Sequence, residues 1–204
     1  MTLIAFDTST PVMTATVCGA GTVQAEGPAQ RELLPALERL LSQRGLGFGD
    51  VSAIGVGTGP GSFTSLRIGI ATARGLVAAH GAELRPLSSL WALAQNIEAP
   101  RGLAVFDARR DEVFAALYEG GRAVFGPWVG APAELPESCA GAVAAGDGSV
   151  RFRELLERIG IEIPPDEDPV HRIQGQALCR LAESADAVAP EAVLPEYLRS
   201  PDVT

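Results

Sequence analysis

Thr58-Gly59-Pro60-Gly61-Ser62-Phe63-Thr64 is the stretch on which the reading of the fold turns. An apolar run, Val51 to Val56, leads into it, and a run of helical character from about Thr64 to His80 leads out. Strand, glycine-rich bend and helix, in that order, aim backbone N–H groups at one point in space. Gly59 and Gly61 permit a bend that side chains would block, and Ser62 or Thr64 can cap the helix. The positive end of that helix then faces the bend, where anions bind readily.

Upstream, Leu3 to Asp7 is an apolar run ending in Asp7-Thr8-Ser9-Thr10, Met13 to Cys18 alternates as a strand, and Thr22 to Glu26 returns after a glycine turn. Leu33, Leu34, Leu37, Leu40 and Leu41 recur at helical spacing, with Pro35 expected in the first turn and Gly45 at the stop. Downstream, Leu84 to Leu87 reads as a short strand, and Ser88 or Ser89 caps a helix to about Asn96. Ala99-Pro100-Arg101-Gly102 marks a boundary, so two lobes are expected, 1–98 and 99–204.

Past that boundary the pattern recurs. Leu103-Ala104-Val105-Phe106-Asp107 echoes Leu3-Ile4-Ala5-Phe6-Asp7, and Ala142 to Ala145 leads into Gly146-Asp147-Gly148 and a helix from about Ser149 to Ile159. The order of elements repeats along with the letters, which favours duplication over chance. Glu162 to Pro169 reads as a solvated acidic loop, Gln174 to Ala187 as a helix, and Pro190 to Arg199 as a docked tail.

Composition narrows the chemistry. The 204 residues, 47% apolar and 20% charged, suit a globular protein. No apolar run approaches the roughly 20 residues that span a bilayer, and the N-terminus lacks the basic region of a signal peptide. A net charge of −9 opposes polyanion binding, so contact with nucleic acid would need another subunit. All 16 basic residues are arginine, which removes the P-loop and lysine-dependent chemistry. No frame gives a dinucleotide fingerprint or a serine-hydrolase elbow. His80 and His171 lack a second ligand at helical spacing, and no metal site is expected. Cys18, Cys139 and Cys179 are far apart and odd in number, so three reduced thiols and a cytoplasmic location are expected.

Two similar lobes suggest a cleft between them. An aspartate ending the first strand of each lobe is where a metal–phosphate group can be held. Asp7, Thr8, Gly59, Gly61, Ser62, Asp107, Gly146 and Gly148 are therefore the nucleotide-binding candidates, with ATP or ADP as ligand. The alternative is that Asp7 and Asp107 only cap turns. On the second helix, Gly69 and Ala73, then Gly75 and Ala79, form low-profile strips where another helix can approach.

Several blocks now carry a family resemblance. Ile4-Ala5-Phe6-Asp7-Thr8-Ser9-Thr10, Leu33-Leu34-Pro35, Gly59-Pro60-Gly61-Ser62-Phe63-Thr64 with Leu66-Arg67-Ile68-Gly69, and Phe106-Asp107-Ala108-Arg109 with Glu112-Val113 resemble the TsaB (YeaZ) family. That family supplies the dimerisation subunit of the bacterial machinery making threonylcarbamoyladenosine in transfer RNA. The resemblance implies an α/β, actin-like ATPase (ASKHA) fold of two duplicated lobes, each a mixed sheet flanked by helices. It also implies partnership with the catalytic paralogue TsaD and the ATPase TsaE, with transfer RNA reached only through the complex. The contact with TsaD would run through the two N-terminal helices, at Leu33, Leu37, Leu41, Ile68, Gly69, Thr72, Ala73 and Leu76; pairing of the chain with itself through the same faces stays open. TsaD carries an HxxxH metal motif whose place is taken here by Ser89-Leu90-Trp91-Ala92-Leu93, so no catalytic residue is expected. The rival expectation is a working ATPase or kinase built on Asp7, Asp107 and the glycine bends.

Overall fold

The computed structural model describes residues 2–26 and 29–199. The chain divides into two units, residues 1–89 with 173–196 and residues 90–172 with 197–204. The division differs from the sequence boundary at 98/99 chiefly in the return of residues 173–196 to the first unit.

In the first unit, β1 (Thr2–Asp7), β2 (Val12–Val17), β3 (Gly21–Glu26), β4 (Val51–Gly59) and β5 (Glu83–Ser88) form one sheet of order β3-β2-β1-β4-β5. The β1–β2 and β2–β3 pairs are antiparallel, and the β1–β4 and β4–β5 pairs parallel. Side chains alternate across a strand. Ile4, Phe6, Ile54 and Val56 meet the apolar faces of α1 (Ala29–Ser42) and α2 (Phe63–His80). On the opposite face, a Cβ at Gly55 would lie 2.7 Å from Ala182 and 3.1 Å from Ala5. Only a glycine there lets helix Gly175–Ser184 close on the sheet, through Ala177, Leu178 and Ala182. That is why this late segment belongs to the first unit: its apolar face completes the first unit's core.

The leucines of α1 are an internal stripe. Leu33, Leu37 and Leu41 are buried in this core, while Leu34 stays 45% exposed. The helix starts before the leucines, so Pro35 lies inside it rather than in its first turn. α2 ends on Gly81, whose φ of 73° is the left-handed cap that glycine accepts without strain.

In the second unit, β6 (Arg101–Arg109), β7 (Glu112–Glu119), β8 (Arg122–Gly130) and β9 (Val143–Ala145) form a sheet of order β8-β7-β6-β9. The β6–β7 and β7–β8 pairs are antiparallel and β6–β9 is parallel, repeating β3-β2-β1-β4. Both sheets are mixed and flanked by helices, which is the duplicated α/β class expected.

α3 (Ser89–Ala94) follows β5, its first residue belonging to the first unit. The helix read from Ser149 to Ile159 is broken at Phe152 into α4 (Asp147–Arg151) and α5 (Arg153–Arg158). The loop read at Glu162 to Pro169 is largely exposed, and Arg153 anchors it by donating to Ile163 O at 2.9 Å and pairing with Asp166. Gly175–Ser184 is α6, the last α-helix of the described residues.

Cys18 and Cys179 correct the expectation of three reduced thiols. Cys18 follows β2 and Cys179 lies on α6; packing of α6 on the sheet brings their Cα atoms to 5.6 Å, and a disulfide joins them. Cys139 is the remaining thiol and is buried. With two of its three cysteines joined, cysteine usage gives no support to a cytoplasmic location. No helix among the described residues is long and apolar enough to cross a membrane.

Candidate functional site

Asp7 ends β1 and is 1% exposed. Its Oδ1 accepts from Ser9 N at 2.7 Å and Ser9 Oγ at 2.5 Å, and its Oδ2 from Ser89 Oγ at 2.5 Å. Ser89 Oγ in turn accepts from Gly59 N at 3.0 Å. A Cβ at Gly57 would fall 1.9 Å from Asp7 Oδ2, so glycine at that β4 position makes the room the carboxylate occupies. Burial pushes the Asp7 carboxyl above its ordinary value, against the lowering effect of the Ser89 and Ser9 hydrogen bonds.

The Asp7–Thr10 turn holds the glycine loop and α2. Ser62 N donates to Ser9 O at 2.8 Å, and a Cβ at Gly61 would lie 2.4 Å from that oxygen. Thr8 Oγ1 donates to Ser65 O at 2.7 Å. A Cβ at Gly69 would lie 2.5 Å from Thr8 Oγ1. Ser62 takes the N-cap position of α2, but its hydroxyl pairs with Ser65 Oγ at 3.2 Å and not with the helix backbone. The first-unit candidates Asp7, Thr8, Gly59, Gly61 and Ser62 therefore do come together, joined through Ser9, Ser65 and Ser89 rather than directly to one another.

The second-unit candidates Asp107, Gly146 and Gly148 form a similar group. Arg151 Nη1 lies 2.9 and 2.8 Å from the two Asp107 oxygens, and Arg109 N donates to Oδ1 at 2.8 Å. Asp107 N donates to Asp147 Oδ1 at 3.1 Å. Burial, and then the neighbouring Asp107 charge, raise the Asp147 carboxyl above its ordinary value. Gly146 sits at φ 118°, and a Cβ there would lie 2.0 Å from Val105 O. A Cβ at Gly148 would lie 2.6 Å from the Phe106 carbonyl carbon, so both glycines are demanded by close backbone approach.

His171 locks this bend. Its Nδ1 faces Gly146 N at 3.2 Å, and its Nε2 faces Pro164 O and Pro165 O at 3.2 and 3.0 Å. Two carbonyl acceptors at Nε2 and an N–H donor at Nδ1 assign the proton to Nε2. Sequence reasoning set His171 aside and read Ser88 or Ser89 as a helix cap. The partners of His171 and Ser89 are 25 and 82 residues away, and no local spacing signals either contact.

The eight expected interface residues divide. Leu33, Leu37, Leu41 and Ala73 are enclosed in the first unit's core, and Gly69 is buried against Thr8. These five have no outward surface, because the apolar faces of α1 and α2 close the sheet. Ile68, Thr72 and Leu76 are half-buried on α2 and reach its surface. Gly75 and Ala79 are exposed on the same helix, and a Cβ at Gly75 would meet nothing within 4 Å.

Among the described residues, no cluster of three or more His, Cys, Asp or Glu side chains forms a metal cage. Two sheets that share a four-strand order, each carrying a strand-end aspartate and a glycine bend, define a duplicated α/β protein. A protein-family model described as TsaD, tRNA N6-adenosine threonylcarbamoyltransferase, matches residues 24–154. The tRNA threonylcarbamoyladenosine biosynthesis protein TsaB of Escherichia coli (strain K12) is 31% identical over 98% of this chain and 95% of its own length. TsaB of Bacillus subtilis (strain 168) is 35% identical over 58% of this chain and 56% of its own. YeaZ from Pseudomonas aeruginosa superposes with a TM-score of 0.81 at 28% identity, covering 97% of this chain and 99% of that one. The chain belongs to the TsaB (YeaZ) family.

Proposed function

We propose that this chain acts in tRNA threonylcarbamoyladenosine biosynthesis as a non-catalytic partner subunit, docking a TsaD-type protein through the outer face of α2. Ile68, Thr72, Gly75, Leu76 and Ala79 make that face, low in profile so that a partner helix can approach closely. A TsaE-type ATPase joins the assembly, which works in the cytoplasm, and transfer RNA is held by the other subunits, in keeping with the net charge of −9.

The use made of Ser89 carries this reading. By the family resemblance it stands where the catalytic paralogue has a metal-binding histidine. Here its hydroxyl is fully buried between the Asp7 carboxylate and the Gly59 amide. Leu93, at the second histidine's place, is also fully buried. A hydroxyl and an isobutyl group do not replace two imidazoles on a metal, and the strand-end aspartates are committed to serines and arginines. ATP or ADP remains the ligand to test against this reading.

The test is reconstitution with the TsaD-type and TsaE-type proteins of the same organism. With ATP, threonine, bicarbonate and transfer RNA, the chain alone should yield no threonylcarbamoyladenosine by nucleoside mass spectrometry, and the full set should. Co-elution with the TsaD-type protein should be lost in Thr72→Arg while the variant's circular dichroism is unchanged. Modification by the chain alone would overturn the proposal, and Mg-ATP turnover by the purified chain that is lost in a folded Asp7→Asn would overturn it in favour of an ATPase.

A further inference from the structure

The Cys18–Cys179 disulfide borders a pocket of about 420 Å³ between the Gly19–Gly21 turn and α6. That volume lies in the range of small-molecule sites. Cys179 lines the pocket, together with Ala20, Thr22, Gln176, Arg180 and Glu183; Cys18 does not. Arg180 and Glu183 give the pocket one charge of each sign, and Gln176 and Thr22 add an amide and a hydroxyl. Those groups suit a small peptide thiol with free amino and carboxyl ends. Both cysteines are half-buried, so the bond is within reach of solvent.

We infer that Cys179 is an exchange site for a low-molecular-weight thiol taken up in this pocket, and that exchange loosens α6 from the first unit's sheet. The incoming thiolate attacks Cys179 Sγ, forming a mixed disulfide as the Cys179–Cys18 bond breaks. The electron pair leaves on Cys18 Sγ, which takes up the proton that the incoming thiol gave up. A second thiol molecule attacks the mixed disulfide and releases the small-molecule disulfide and the Cys179 thiol. In sum, two thiols are oxidised and one protein disulfide is reduced.

Loosening follows from how α6 is held. Its buried side chains are mostly small, Gly175, Ala177, Leu178 and Ala182. Its flanks are tied by hydrogen bonds, Thr14 and Gln24 to Ile173 O and Arg85 to Ala182 O. The disulfide is the tie in the middle of the helix, so its loss acts there.

The probe is glutathione, added to the oxidised full-length chain and followed by acid quench and peptide mass mapping. The expected result is a mixed disulfide on Cys179, together with faster amide hydrogen exchange across α6. Ala20→Trp, which fills the pocket from an exposed position, should slow adduct formation by on the order of tenfold. In Cys18→Ser, the unpaired Cys179 should take the adduct directly from oxidised glutathione. An adduct on Cys18, alkylation of both cysteines without reductant, unchanged exchange in α6 after reduction, or a wild-type rate in Ala20→Trp would each overturn the inference.

Discussion

Ser89 Oγ lies 2.5 Å from Asp7 Oδ2, a contact between residues 82 apart in sequence that ties the end of β1 to the start of α3. Through the same hydroxyl the tie extends to Gly59 N, so the carboxylate anchors the glycine loop from beneath. A buried carboxyl that collects several hydrogen bonds is held more firmly than one with a single partner.

Asp7→Ala strands the Ser9 and Ser89 donors inside the protein. The expected loss is about 2–4 kcal/mol of unfolding free energy, read from the urea midpoint. Asp7→Asn keeps the Oδ1 acceptor and should cost less than half as much. Equal stability of Asp7→Ala and wild type would show that the serines find other partners.

The raised Asp7 carboxyl sets a direction with pH. In a folded state that favours the protonated acid, this group's contribution is fully present below the ordinary value near 3.8 and is lost as pH rises through the higher folded value. The stability of wild type minus that of Asp7→Asn should therefore fall as pH increases above 3.8, with a slope of at most about 1.4 kcal/mol per pH unit. A difference that grows over that range would contradict the assignment.

His171 should matter to the second unit without touching any ligand. His171→Ala removes the acceptor of Gly146 N and the donor to two proline carbonyls, and about 1–3 kcal/mol should be lost. Hydrogen exchange at the Gly146 amide should rise with it. His171→Asn offers a shorter acceptor and should recover part of the protection.

Two glycines on α2 should behave in opposite ways. Gly69→Leu drives a side chain into Thr8 and should destabilise the fold by about 2–3 kcal/mol or more, as overpacking does. Gly75→Leu enters open space, removes a helix-weakening glycine and should stabilise the free chain by about 0.5–1 kcal/mol. It should also weaken co-elution with the TsaD-type partner if the outer face of α2 docks. Unaltered pairing in Gly75→Leu would move the docking surface elsewhere.

Much of the architecture was written locally. The alternation of Met13 to Cys18, the three- and four-residue spacing of the α1 leucines and the glycines around Pro60 gave strands, helix and bend within a few residues of their observed bounds. The echo of Phe6-Asp7 in Phe106-Asp107 marked the repeated sheet, because both stretches end a first strand and meet a glycine bend. These signals are short in range, since backbone hydrogen bonding and side-chain periodicity act over a few residues. The same letters did not say which way a face points. Leu33, Leu37, Leu41, Gly69 and Ala73 read equally as docking surface or core until the sheet they cover was in place.

Only the tertiary structure decided what these residues touch. Gly55 and Gly57 differ from ordinary strand glycines because strand register sets one beneath Ala182 and the other beside Asp7. Cys18 and Cys179, 161 residues apart, become partners because α6 returns to the first sheet. Sequence fixes an element by its neighbours along the chain; the pairing of distant elements depends on which buried surfaces fit together, and no single stretch contains that information.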